Sequence, residues 1–187
     1  MRLVIGRRWM FLIGLALGAA GGWAAQSLWY VNWREATTPV DLSLLLIRED
    51  AKGDGRFGAP RSGNRSHRGV DIEAPVGTPV RAVRSGMVIA TGMHRGLGRY
   101  VQLEHAQNLR SLYAHLETVS VEVGDHVRQG EPIATVGKTG NAKSPVIKPH
   151  LHFEVSRDGR VIDPSSLGLS FVQGTAPVDG AQAEGGE

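Results

Sequence analysis

From Asp71 onward, glycine, proline and asparagine interrupt the chain so often that only short runs of regular structure fit between them. Runs rich in β-branched and apolar residues lie at 80–83, 86–91, 100–105, 111–115, 119–123, 133–136 and 151–156. Residues 105–109, His-Ala-Gln-Asn-Leu, read as a hairpin loop between two of them. Many short strands with no long helical pattern predict an all-β domain, an antiparallel β-sandwich or partly open barrel. No internal repeat or coiled coil interrupts this reading.

The histidines are distributed in a way that such strands can use. His150 and His152 alternate with Leu151, Phe153 and Val155. Strand side chains repeat with period two, so both imidazoles face one side and the apolar residues the other. His67 and Asp71 are four apart, a spacing that suits a helix or a strand face. Gly69 between them and Pro75 just beyond disfavour a helix, so the segment is predicted as a loop entering a strand, with both side chains pointing the same way. In residues 112–116 the same alternation predicts Tyr113 and His115 together, opposite Leu112, Ala114 and Leu116. Two histidines and one carboxylate suit a catalytic zinc, which keeps a fourth position open for water, and two histidines remain to move protons. His94 and His126 read as structural residues of turns, and His105 as a structural residue ending a strand that could approach the site. Glu154, Glu104 and backbone carbonyls are the candidate outer acceptors for ligand imidazoles.

The motifs, taken in order, resemble those of the lysostaphin-type, LytM-like zinc endopeptidases, which hydrolyse peptide cross-links of bacterial peptidoglycan. The matching text is Gly-Arg-Phe-Gly at 55–58, His-Arg-Gly-Val-Asp-Ile at 67–72 and Ala-Pro-Val-Gly-Thr-Pro-Val at 74–80. It continues with Tyr-Ala-His-Leu at 113–116, Gly-Asp-His-Val-Arg-Gln-Gly at 124–130 and His-Leu-His-Phe-Glu at 150–154. The resemblance covers about residues 53–165. It implies that His67, Asp71 and His152 bind one Zn2+ per chain and that His115 and His150 are the catalytic pair. One departure stands out: from Thr139-Gly140 to Pro149 the connecting loop is longer and more basic than the family's usual short polar loop. Because it leads into the catalytic strand, it is expected to wall the substrate groove.

The ends of the chain indicate where this chemistry takes place. Arginines at 2, 7 and 8 precede an uncharged stretch over 9–28, close to the length of about 20 residues that spans a bilayer. The positive-inside tendency then keeps residues 1–8 in the cytoplasm and exports the rest. Residues 9–28 are read as an uncleaved transmembrane signal-anchor, supported by the interfacial aromatics Trp23, Trp29, Tyr30 and Trp33; cleavage near Ala24 or Ala25 would instead release a secreted protein. Residues 29–52 read as a connector whose apolar run 42–47 packs on the domain as a helix turn or strand. Residues 53–170 form the zinc endopeptidase domain and 171–187 a disordered tail rich in Gly, Ala and acid. The expected location is the inner membrane, with the domain in the periplasm.

Composition narrows the alternatives. There is no cysteine, so the domain has no disulfide and metal ligands must be histidine and carboxylate. The net charge of +3 is mildly basic, with Arg56, Arg61, Arg65 and Arg68 crowding the entry to the site, where they meet carboxylates of peptide stems or form a solvated loop. Neither a nucleic-acid recognition motif nor an aromatic platform is present, so nucleic acid is excluded as a partner. A biotinyl- or lipoyl-like carrier would explain the turn at 124–131, but Lys138 lacks the flanking hydrophobic residues such a site needs. The alternative function is a non-catalytic LytM-like regulator that binds an amidase or another envelope protein. In this resemblance such regulators lack zinc residues, whereas all five are present here.

Overall fold

The alternating runs do form strands. In the computed structural model, which describes residues 35–173, they are β1 (Leu45–Ile47), β2 (Glu49–Asp50), β3 (Gly53–Asp54), β4 (Pro60–Arg61), β5 (Arg65–Ser66), β6 (Gly69–Glu73), β7 (Pro79–Arg81) and β8 (Gly86–His94). They continue as β9 (Gly98–His105), β10 (Leu109–Val119), β11 (His126–Val127), β12 (Pro132–Val136), β13 (His150–Arg157), β14 (Arg160–Ile162) and β15 (Phe171–Gln173). The described helical segments are two single 3-10 turns, Gly140–Lys143 and Pro164–Leu167. The all-β expectation therefore holds. The predicted membrane segment 9–28 lies outside the described residues; among those described, no helix is long and apolar enough to cross a membrane.

One sheet carries eleven of the strands, in the order β11-β8-β9-β10-β13-β6-β1-β15, with β12 bridging β10 to β7 and β14 added to β13. Neighbours are antiparallel except β1 and β15, which run parallel. At the centre, β13 lies between β10 and β6, so three strands from distant parts of the sequence are in register. Ala114 lies opposite His152, and His152 opposite Asp71.

The period-two pattern then decides which residues are buried together. Val70 and Ile72 of β6, Tyr113 of β10, and Leu151, Phe153 and Val155 of β13 face a core completed by Val88, Val101, Leu103, Ile133 and Val136. Burying a side chain of this size contributes about 1.5–3 kcal/mol, so a slip of one residue in β13 would forfeit three such contributions and also invert its histidines. The core thus fixes the register that points His150 and His152 the other way.

Several local expectations are corrected. Residues 119–123 are not a separate strand: β10 runs to Val119, and the chain then turns, with Asp125 accepting from the Glu122 N–H and Gly124 at φ 99°. Within the connector's apolar run, of the helix turn or strand expected to pack on the domain, the strand forms: Leu45–Ile47 joins the main sheet with Ile47 opposite Ile72. Phe171–Gln173, placed in the disordered tail, pairs with it as β15; the remainder of that tail, 174–187, lies outside the described residues. Both short strands belong because Leu45 and Ile47 are buried and Phe171 packs on the core. The 105–109 hairpin loop forms as predicted, with Gln107 and Asn108 in the left-handed region that lets a chain reverse.

Candidate metal and hydrolytic site

The site is built on the face of β6, β13 and β10 that points away from the core. Asp71 sits mid-strand in β6, and His67 lies in the loop just before it. Gly69 makes that entry fit: a Cβ there would lie 2.2 Å from the Phe153 carbonyl oxygen, so only glycine lets β6 pass this close to β13. His150 and His152 rise from β13 on one face, as their parity predicts.

His115 arrives differently. The alternation predicted Tyr113 beside it, but Tyr113 is fully buried in the core, its ring 5.3 Å from that of Phe153. The reason is a β-bulge. Between Tyr113 and Leu116, β10 spends three steps where β9 spends two, from Val101 to Arg99. His115 is the extra residue, at φ 63°, a conformation that costs a non-glycine residue about 1 kcal/mol or more. Both Tyr113 and Leu116 thereby face the core, while His115 turns out to meet His150, ring centroids 4.9 Å apart. Strained backbone of this kind clusters at functional sites.

Three donor atoms converge. His67 Nε2 lies 3.1 Å from Asp71 Oδ1 and 3.1 Å from His152 Nδ1, and His152 Nδ1 is 2.8 Å from Asp71 Oδ1. Among the described residues these three form the one group of His, Cys, Asp or Glu side chains able to hold a metal ion together. Zinc ligands at 2.0–2.2 Å in a tetrahedron stand about 3.3 Å apart, so the triangle needs to open by only a few tenths of an ångström to admit the ion. The donor set of two imidazoles and a carboxylate, with no thiolate, matches catalytic rather than structural zinc.

Each ring nitrogen that faces away from the triangle is tied down. His67 Nδ1 meets the Arg56 carbonyl at 2.8 Å, and His152 Nε2 meets Glu154 Oε1 at 3.0 Å. His115 Nδ1 meets the Thr139 carbonyl at 2.9 Å and His150 Nδ1 the Lys148 carbonyl at 2.7 Å. A carbonyl can only accept, so His67, His115 and His150 carry their proton on Nδ1 and present an Nε2 lone pair to the site. Glu154 and backbone carbonyls thus fill the outer-acceptor role. Glu104 does not: it pairs with Arg110 at 2.7 Å.

Electrostatics sort the titrating groups. Burial alone would raise Asp71, but the hydrogen bond from His152, the close approach of His67 and the field of the nearby imidazoles outweigh it and hold the carboxyl well below the usual range. Burial alone would lower His152; its bonds to Asp71 and Glu154 instead raise it to about 9. His115 is pushed down to about 3, first by burial and then by repulsion from His150 and His152. His150 is lowered too, again chiefly by burial. At neutral pH the pair His115 and His150 is therefore uncharged and able to accept a proton.

The other histidines stand apart. His105 bonds Ser85 and Ser111, on the core side of β10, rather than any of the five site residues. The His94 ring accepts from the Gly96 and Leu97 N–H groups in a turn. Reasoning from sequence missed three contributors. Arg48 binds Asp71 Oδ2 at 3.0 Å, Asp50 binds Arg48 at 2.6 Å, and Thr139 both receives His115 and anchors its loop to β10 and β9 through Oγ1. The charged Arg-Glu-Asp that ends the apolar run of β1 was the local signal; nothing in the sequence linked it to Asp71, 23 residues on. Of the clustered arginines, Arg61 reaches Asp71 Oδ2 at 3.4 Å, Arg56 pairs with Asp54 and Arg68 with Glu154.

With this geometry in view, the relatives are informative. The chain is 42% identical over 105 residues to the DD-carboxypeptidase/endopeptidase Mpg of Neisseria meningitidis, covering 56% of this chain and 23% of that one. It is 37% identical over 109 residues to the murein hydrolase activator EnvC of Escherichia coli, covering 58% and 25%. The chain thus spans about a quarter of the length of these curated relatives. Among solved structures, a zinc-containing peptidase from Vibrio cholerae superposes with TM-score 0.55 at 32% identity, over 69% of this chain and 39% of that one. The catalytic domain of lysostaphin from Staphylococcus simulans superposes with TM-score 0.53 at 31% identity, over 65% and 92%. The model of peptidase family M23 matches residues 65–164, more than half of the chain, and this chain belongs to that family.

Proposed function

We propose that this chain is a zinc-dependent endopeptidase that hydrolyses peptide cross-links of peptidoglycan. The observation that carries the reading is the convergence of five buried side chains, three as a donor triangle and two as neutral imidazoles with free Nε2 atoms. His67 Nε2, Asp71 Oδ1 and His152 Nδ1 would hold the ion. Zinc in such a site supplies Lewis acidity, lowering the pKa of water toward 7 and polarising a carbonyl. His115 or His150 accepts the proton of the attacking water at Nε2. Once charged, that imidazole becomes a donor that can stabilise the oxyanion and protonate the leaving amine. Thr139 and Lys148 fix both tautomers, so no rearrangement precedes proton transfer.

Relatives that act on murein support peptidoglycan stems as the substrate. The segment 9–28 supports attachment to the inner membrane with the domain outside it. The likeness to EnvC favours a second reading, a regulator of another hydrolase. The complete donor set argues against it, since a regulator has no need of two neutral imidazoles beside a metal triangle.

The test is digestion of isolated sacculi by the zinc-loaded protein, with soluble products identified by mass spectrometry. Cross-linked muropeptides should convert to monomers, which also identifies the bond. Intact cross-links with zinc stoichiometrically bound would favour the regulator.

A further inference from the structure

Asp71 has two carboxylate oxygens, and the structure treats them differently. Oδ1 faces His67 and His152, while Oδ2 is taken by Arg48 at 3.0 Å and Arg61 at 3.4 Å. Arg48 is nearly fully enclosed, its side chain 5% exposed, and its other terminal nitrogen lies 2.6 Å from Asp50 Oδ2, with Asp50 6% exposed. Asp50 is held in turn by backbone: Oδ1 accepts from Lys52 N–H at 2.8 Å and Oδ2 from Lys148 N–H at 3.1 Å. The carbonyl of that same Lys148 accepts the His150 Nδ1 proton, and its ammonium reaches Glu73 at 2.9 Å. The backbone closes the arrangement, because the Arg48 N–H donates to the Asp71 carbonyl at 2.8 Å.

We propose that Arg48 and Asp50 are positioning residues that tie the metal-ligand carboxylate of Asp71 to the peptide that orients His150. Arg48 withdraws Oδ2 so that Asp71 can offer a metal one oxygen and not two, which leaves a coordination position open. Asp50 carries the constraint across to Lys148 and so to the His150 ring. Both residues lie upstream of the family-matched segment 65–164. Arginine suits the task because its planar guanidinium fork places one terminal nitrogen in a hydrogen bond to Asp71 and the other in an ion pair with Asp50, which a lysine ammonium cannot do from one fixed plane. An enclosed cation between two carboxylates would otherwise be an expensive way to close a strand end.

The proposal rests on the zinc reading, and its test separates the two. Full-length Arg48→Met, Arg48→Lys and Asp50→Ala would be loaded with cobalt(II), whose visible absorption reports coordination number, and assayed on cross-linked muropeptides. In Arg48→Met, Oδ2 keeps only the longer contact to Arg61, so Asp71 can turn both oxygens to the metal and the cobalt band should weaken toward that of a five-coordinate ion. In the same variant kcat should fall about tenfold to a hundredfold, the effect of a sub-ångström to 1 Å misplacement, while KM changes little. Asp50→Ala should keep the parent cobalt band and lose kcat alone, because only the His150 arm is cut. If Arg48→Met does not fold, Arg48→Lys carries the test, since it keeps the charge and loses the fork. Arg48 variants with the parent cobalt band and undiminished kcat would overturn the proposal. A wild-type protein with a four-coordinate cobalt spectrum and no action on cross-links would overturn the hydrolase reading, leaving the strap to be judged by the spectra.

Discussion

Acid should unfold this protein through a histidine that takes no part in the chemistry. His105 Nδ1 lies 3.0 Å from the Ser85 carbonyl, so that nitrogen carries the proton. Nε2, 2.7 Å from Ser111 Oγ, must then accept from the hydroxyl. Ser111 Oγ also lies 3.1 Å from Tyr113 Oη, and Tyr113 Oη accepts from the Val83 N–H at 3.0 Å. Every group in this chain is satisfied with a neutral imidazole, and a second proton would point Nε2–H at a donor. Burial is the main cause of the low pKa, about 4, with repulsion from Arg84 adding to it. The folded pKa lies below the value of about 6.5 for an exposed histidine, so the unfolded chain binds more protons between the two. The stabilisation is therefore complete above pH 6.5 and is lost as pH falls toward 4. At pH 5 the loss is about 2 kcal/mol, and the full shift corresponds to about 3 kcal/mol. His115 and His150 are lowered as well and add to the wild-type slope, so the comparison must be with His105→Gln. Urea unfolding from pH 7.5 to 4.5, with chelator present throughout, should show a shallower decline in the variant by about 2 kcal/mol at pH 5. Parallel declines would refute the assignment of a neutral His105 in the fold.

Substitutions in the site separate binding from turnover. His115→Ala should lower kcat by about 10²- to 10⁴-fold with zinc content unchanged, whereas Asp71→Ala should lose both, as metal analysis alongside the muropeptide assay would show. Glu154→Ala removes the acceptor of His152 Nε2 and should weaken zinc retention about 10- to 100-fold in chelator competition. Gly69→Ala forces a methyl against the Phe153 carbonyl and should cost about 3 kcal/mol or more, read as a large drop in Tm.

What the sequence made legible was what local periodicity controls. His150 and His152 share a face because Leu151, Phe153 and Val155 are core residues, and Glu154 joins them by the same parity two residues on. The glycine and proline spacing around His67 and Asp71 argued correctly for a loop and strand. His115 was found as a candidate, but its neighbour was misplaced, because a bulge changes parity and leaves no mark in the alternation. Arg48 and Asp50 stayed hidden for a different reason. A buried ion pair between residues 48 and 71 is set by the meeting of β1 and β6, and charged residues at a strand end read as ordinary surface.

The most direct test of the account is a crystal structure of the zinc-soaked protein, with diffraction recorded on both sides of the zinc absorption edge. A single anomalous peak should appear, bonded to His67 Nε2, Asp71 Oδ1 and His152 Nδ1, with the Nε2 atoms of His115 and His150 facing its open side. Zinc bound elsewhere, or coordinated by His115 or His150 in place of one of the three, would contradict it.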